Sequence, residues 1–235
     1  MKQVAMKRHL NAAFAGLLFL GVISSPVPSA AGDLQSVLSK MDQTAANFRT
    51  AQASFTWSTF NAVINDFDDK QTGTIYFRRS GNQIKMAADI SAPASKQVLF
   101  ADGKIQMYQP KPDTLDVYNA GAHREEFETF LVLGFGSSGE EMQKSFDVKY
   151  GGDEQIDGAD TAKLALTPKA ENIRNRFPQI ILWIDPQKGV SVQQKLVETN
   201  GDYRLAKYSD IRLGEKISDK VFKLKTTPRT VITNH

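Results

Sequence analysis

Between Thr72 and Tyr118 the chain runs through a series of short alternating stretches, each closed by a turn signal, with no helix pattern between them. Gly73 to Arg78 puts Ile75 and Phe77 on one face and Thr74, Tyr76 and Arg78 on the other, and Ser80-Gly81-Asn82 ends the run. Ile84, Met86, Ala88 and Ile90 then share a face. Gln97 to Phe100 and Ile105 to Tyr108 flank Asp102-Gly103, residue types that supply the positive φ of a type I′ hairpin turn. Pro110-Lys111-Pro112-Asp113 makes the next corner before Leu115 to Tyr118. Strands joined by such short turns form an antiparallel meander, which can leave one face free to line a cavity.

The flanks extend this pattern. Asp33 is a candidate N-cap for an amphipathic helix carrying Leu34, Val37, Leu38, Met41, Ala45 and Phe48 on one side. Ala51 to Phe60 switches to period two, with Ala53, Phe55 and Trp57 on one face, and an acidic loop follows from Asn61 to Gln71. After the meander, Arg124 to Gly134 reads as a short helix with Phe127, Phe130 and Leu131 on one side. Ser138 with Glu141 forms a capping box for a second short helix through Lys144. Strands are predicted again at Phe146–Tyr150, Ala162–Leu166, Ile180–Ile184, Val190–Thr199, Tyr203–Tyr208 and Val221–Leu224. About eleven strands against so few helices exclude βαβ winding and predict a mainly β fold.

The first 31 residues have the anatomy of a cleaved leader. Lys2, Lys7 and Arg8 precede an apolar run from Leu10 to Ile23, and small residues lead to a cleavage point after Ala31. The apolar run is shorter than the roughly 20 residues of a membrane-spanning helix. An exported, soluble protein is expected, with one domain over residues 32–235. The whole chain has 29 Lys+Arg against 26 Asp+Glu, and the leader holds three of the basic residues and no acid. The remainder is formally neutral, so the precursor pI of 8.9 gives no reason to expect nucleic acid as a partner. Without cysteine the chain cannot carry an N-terminal lipid anchor or disulfides, and must hold itself by its core.

Reactive chemistry is sparse. Gly134-Phe135-Gly136-Ser137-Ser138-Gly139 matches G-x-G-x-x-G, but hairpins flank it where a dinucleotide loop needs a parallel βαβ unit, so it reads as a hinge. His123 is the one histidine away from both chain ends, and no nucleophile or zinc motif accompanies it. Asp66, Asp68 and Asp69 lack the glycine and distal glutamate of a calcium loop and read as solvated. No enzyme activity, cofactor or metal is expected. Trp57, Tyr76, Met86, Phe127, Phe130 and Trp183 suit a core, whereas the apolar segment Phe127, Phe130, Leu131, Leu133, Phe135 fits either a core helix or a lid over an apolar cavity.

In order along the chain, the helix followed by Ala53-Ser-Phe-Thr56, the run Gly73-x-Ile-Tyr-Phe-x-Arg79, the hairpin Asp102-Gly-Lys104 with Tyr108 and Pro110, and Leu166-Thr-Pro-Lys-Ala170 leading into Phe177 to Ile184 resemble the outer-membrane lipoprotein carrier family, LolA. The resemblance implies a strongly curved antiparallel sheet, an incomplete β-barrel with helices as a lid. It implies a periplasmic carrier, a monomer, that takes acyl chains of lipoproteins from an inner-membrane release complex to an outer-membrane acceptor. The apolar cavity and lid would draw on Phe55, Trp57, Met86, Phe127, Phe130, Leu131, Leu133 and Trp183. The family's gating arginine matches Arg79, with Arg78 the alternative, since Ser80 follows where the family has proline and Met86 stands where it has an aromatic. The same fold would also serve a lipid or glycolipid shuttle, or a lipoprotein-sensing regulator.

Overall fold

A computed structural model of the chain describes residues 34–81, 83–119, 121 and 133–235. Its meander is one wing of a single sheet: β3 (Gln71–Ser80), β4 (Gln83–Ala92), β5 (Lys96–Ala101), β6 (Lys104–Gln109) and β7 (Thr114–Asn119). β1 (Thr50–Asn61) and a two-residue β2 (Asp66–Phe67) precede it. The other wing holds β8 (Phe146–Ile156), β9 (Ala159–Pro168), β10 (Gln179–Asp185), β11 (Val190–Val197) and β12 (Tyr203–Leu213), and β13 (Val231–Asn234) comes last. The strand order is β13-β7-β6-β5-β4-β3-β1-β12-β11-β10-β9-β8, with β2 paired to β1. Every pairing is antiparallel except β13 on β7, and the curved sheet does not close on itself. The predicted mainly β, incomplete-barrel architecture is what the chain adopts.

One face carries the helix. In α1 (Leu34–Asn47) the buried residues Val37, Leu38 and Met41 pack on Leu164, Leu166, Ile180, Leu182 and Ile184 from β9 and β10. The period-two pattern of β9 and β10 supplies that apolar row, and the helical spacing of α1 supplies its mate. α2 (Gly139–Ser145) begins with the predicted capping box: Ser138 Oγ accepts from the Glu141 amide at 3.0 Å, and the Glu141 carboxylate accepts from the Ser138 amide at 3.2 Å. Gly139 has no room for a side chain, because a Cβ there would lie 2.7 Å from the Leu38 Cβ.

The strand expected at Val221–Leu224 is a 3-10 turn, Asp219–Phe222, and no strand. Its apolar residues are used otherwise: Phe222 and Leu224 pack over Ala87, Leu99 and Ala101 on the face opposite α1. Alternation alone cannot distinguish a paired strand from a segment that lays two side chains on a sheet. A one-turn α3 (Glu171–Arg174) and the pairings of β2 and β13 were not expected either. The leader, the Asp33 cap and the helix expected over Arg124–Gly134 lie outside the described residues, apart from Leu133 and Gly134, which stand in a turn.

Candidate functional site

The helix-bearing face of β1 and β3–β5 is mostly apolar, with Arg79 at one end, and its burial is graded along the strands. Near the end where β3 meets Arg79, Ala51, Ala53, Phe77, Met86 and Phe100 are buried. Toward the opposite end, Trp57, Ile75, Ile90 and Val98 belong to the same face but are only half-buried. The registers place them side by side: Ile75 opposite Ala53 and Ala88, Ile90 opposite Gly73, and Val98 opposite Ala88. Phe55, Trp57 and Met86 of the predicted cavity residues therefore do come together on one wall. Ile75, Ile90 and Val98 join them, and the alternation of the meander already put Ile75 and Ile90 on that face.

The loop Leu133–Ser138 is seated at the fully buried end. Phe135, 1% exposed, stacks on Phe77 with ring centroids 5.3 Å apart and meets Tyr208 edge-on at 4.7 Å. Leu133 enters the neighbouring core against α1 and Leu196. Polar bonds fix the backbone between them. Arg79 Nη2 donates to the Gly136 carbonyl at 2.9 Å, Gln194 Nε2 to the Leu133 carbonyl at 2.6 Å, and the Ser191 amide to the Gly134 carbonyl at 2.8 Å. The Tyr208 hydroxyl, pushed up from its usual pKa by burial, lies 3.3 Å from Gln194 Oε1.

The glycines of G-x-G-x-x-G serve this seating. Gly136 has φ +93°, and a Cβ there would strike the Phe48 ring at 2.6 Å; Gly134 has φ +80°, and its Cβ would meet Ser191 Cβ at 2.5 Å. The loop is a tight anchor on an antiparallel sheet, packed against side chains on the side a phosphate would need. Arg78, the alternative gate, points the other way: it pairs with Asp219 and lies over the Phe222 ring at 4.6 Å. Strand alternation separates the two arginines, and only Arg79 reaches the loop.

Trp183 departs from the predicted cavity set. Leu182 and Ile184 face α1, so Trp183 between them faces outward, where its indole N–H donates to Glu154 at 3.0 Å and Lys163 lies 5.4 Å from its ring. An apolar run buried on both faces hides this distinction in the sequence. Phe127, Phe130, Leu131 and His123 lie outside the described residues. Asp66 and Asp68 serve the β1–β2 hairpin, accepting from the amides of Phe67 and Thr59 at 2.8 and 2.6 Å. Among the described residues no group of side chains is placed to hold a metal ion. A separate recess of about 460 Å³ lies among Ser54, Phe55, Thr56, Thr74 and Tyr208, with the charged pair Asp157 and Lys207 on its wall.

An open, curved antiparallel sheet with an apolar helix-bearing face is a binding scaffold of the half-barrel class. The chain belongs to the family of the outer membrane lipoprotein carrier protein LolA, whose model matches residues 46–225. Members of that family are extracytoplasmic carrier or binding proteins. Among solved structures, an uncharacterized conserved protein from Thermus thermophilus superposes with TM-score 0.52 at 9% identity, covering 86% of this chain and 98% of the other. MucB superposes with TM-score 0.52 at 14% identity, over 84% of this chain and 64% of MucB. A LolA superfamily protein from Nitrosomonas europaea gives TM-score 0.40 at 15% identity, over 83% and 99%. No curated protein sequence matches the chain. No helix among the described residues is long and apolar enough to cross a membrane.

Proposed function

We propose that this protein is a non-enzymatic periplasmic carrier that holds the acyl chains of lipoproteins against the helix-bearing face and passes them from an inner-membrane release complex to an outer-membrane acceptor. The observation that carries the reading is the graded apolar wall, half-buried at Trp57, Ile75, Ile90 and Val98 and sealed at its other end by Phe135. Each buried methylene contributes about 0.8 kcal/mol, so acyl chains cross water only when sheltered. A carrier must also let go. The bond from Arg79 to the Gly136 carbonyl suits a latch, since such charged hydrogen bonds contribute only about 1.5–3 kcal/mol.

Native mass spectrometry and lipid extraction of the protein purified from the periplasm test the proposal. An acylated lipoprotein bound one to one supports it. Free phospholipid or glycolipid assigns a lipid shuttle on the same scaffold. A protein that arrives empty and refuses an apolar fluorescent probe removes the carrier reading.

A further inference from the structure

The β1–β2 hairpin ends in Val63 and Ile64, 90% and 70% exposed, the two most exposed large apolar side chains among the described residues. Phe67, 44% exposed, follows them. The tip is held rather than loose. The Asn61 side chain accepts from the amides of Val63 and Ile64 at 3.0 and 3.2 Å, and Asp202 accepts from the Ala62 amide at 2.8 Å. Beneath the tip, Phe60 stacks on Tyr203 at 4.7 Å, and Phe67 meets both rings edge-on at 5.2 and 5.8 Å.

We infer that this tip is a membrane-contact element that dips Val63 and Ile64 into the surface of an electrically neutral bilayer. The layering is that of an interfacial anchor: aliphatic side chains foremost, then the rings of Phe60, Phe67 and Tyr203, the last with a hydroxyl, then charge. A protein partner is the weaker fit, because a stable protein interface needs roughly 800 Å² from each side and the tip offers a narrow prong. Asp66, Asp68, Asp69 and Asp202 stand at the prong against Lys70 and Lys195, whose ammonium lies 3.8 Å from the Tyr203 ring, while Arg204 is paired with Glu198; carboxylates outnumber the cations left over, so anionic headgroups would be repelled. The position gives the contact a purpose. The tip closes the end of β1 next to Trp57, the same end at which Trp57 and Ile90 are half-buried, and opposite the end held by Arg79. A prong seated in lipid there brings the graded wall to the membrane surface. The inference rests on the exposed tip and needs no particular cargo.

Flotation of the purified protein with vesicles of phosphatidylcholine and phosphatidylethanolamine tests it. Wild type is expected to float, and the exposed double variant V63S/I64S, with an unchanged circular dichroism spectrum, to partition at least about tenfold more weakly. Added phosphatidylglycerol should weaken flotation at low salt, and high salt should restore it. The chain has no cysteine, so a nitrobenzoxadiazole label on V63C is site-specific. Its emission should shift to the blue on neutral vesicles, and the same label on K104C, at the turn near the other end of the sheet, should not. Wild type that stays unbound, V63S/I64S that floats equally well, or flotation that strengthens with phosphatidylglycerol overturns the inference. Protein that carries lipid off vesicles without floating supports the carrier reading and still counts against the tip.

Discussion

Arg78 and Arg79 are neighbours on β3, yet they secure opposite faces of the sheet. Arg79 bonds the Gly136 carbonyl on the helix-bearing side and lies 5.4 Å from the Phe48 ring. Arg78 grips Asp219 and the Phe222 ring on the other side, fixing the C-terminal segment. The two-residue period of a strand does this with no further device. It also explains why replacing either arginine should have separable effects.

Arg79→Leu should keep uptake of an apolar probe while slowing release to an acceptor membrane. Its stability cost should be small, about 1 kcal/mol, because the arginine is partly exposed and Gln194 and Ser191 still hold the loop. Stopped-flow loading and release, with a urea melt, separate the two. Wild-type release would mean that Arg79 is structural and not a latch.

Gly136→Ala should destabilise far more than Gly81→Ala. Both residues have positive φ, which alone costs a residue with a Cβ about 1–2 kcal/mol, but only Gly136 adds a collision with Phe48, whereas a Cβ at Gly81 meets nothing within 4 Å. Thermal denaturation of the two variants, and of G136A with F48L, measures this. The double variant should recover part of the loss.

Ile90→Asp should abolish binding of an apolar probe, while Trp183→Phe should leave it unchanged and cost only the hydrogen bond to Glu154. Fluorescence titration of both proteins, checked for intact folding, decides whether binding belongs to the helix-bearing face. Loss of binding in W183F instead would move the site to the other side.

The hydroxyls of Thr227 and Thr230 donate to Asp113 and hold its carboxyl below its ordinary 3.8. A depressed carboxyl stabilises in its ionised form, so the tie is complete above the unfolded value and is lost as pH falls through the lower folded value. Amide exchange of residues 232–234, corrected for intrinsic rates, should stay slow above pH 3.8 and quicken below it. Asp113→Ala should show the quickened exchange at neutral pH.

Period-two runs and turn residues made the sheet legible, because alternation over Ile75, Phe77, Met86 and Ile90 needs only local information. The capping box at Ser138 was legible for the same reason. What eluded the sequence depends on long-range geometry. The outward aim of Trp183 follows from burial on both faces of β10, and the non-strand fate of Val221–Leu224 follows from where its neighbours lie. The use of Gly134 and Gly136 as contacts with Ser191 and Phe48 joins residues far apart in the chain. The choice of Arg79 over Arg78 needed the loop's position, which no spacing encodes.

A sheet that stays open keeps a rank of unpaired amides at each margin, and such margins invite neighbouring molecules to stack on as further strands. Here the final strand, only 4 residues long, lies parallel on β7, which has 6, and begins where the Val231 amide donates to the Asp113 carbonyl at 2.9 Å. A passing copy meets this stub before it meets the full ledge of β7. On this margin the chain thereby brings its own stopper, pinned by Asp113, while β8, with 11 residues, forms the other margin.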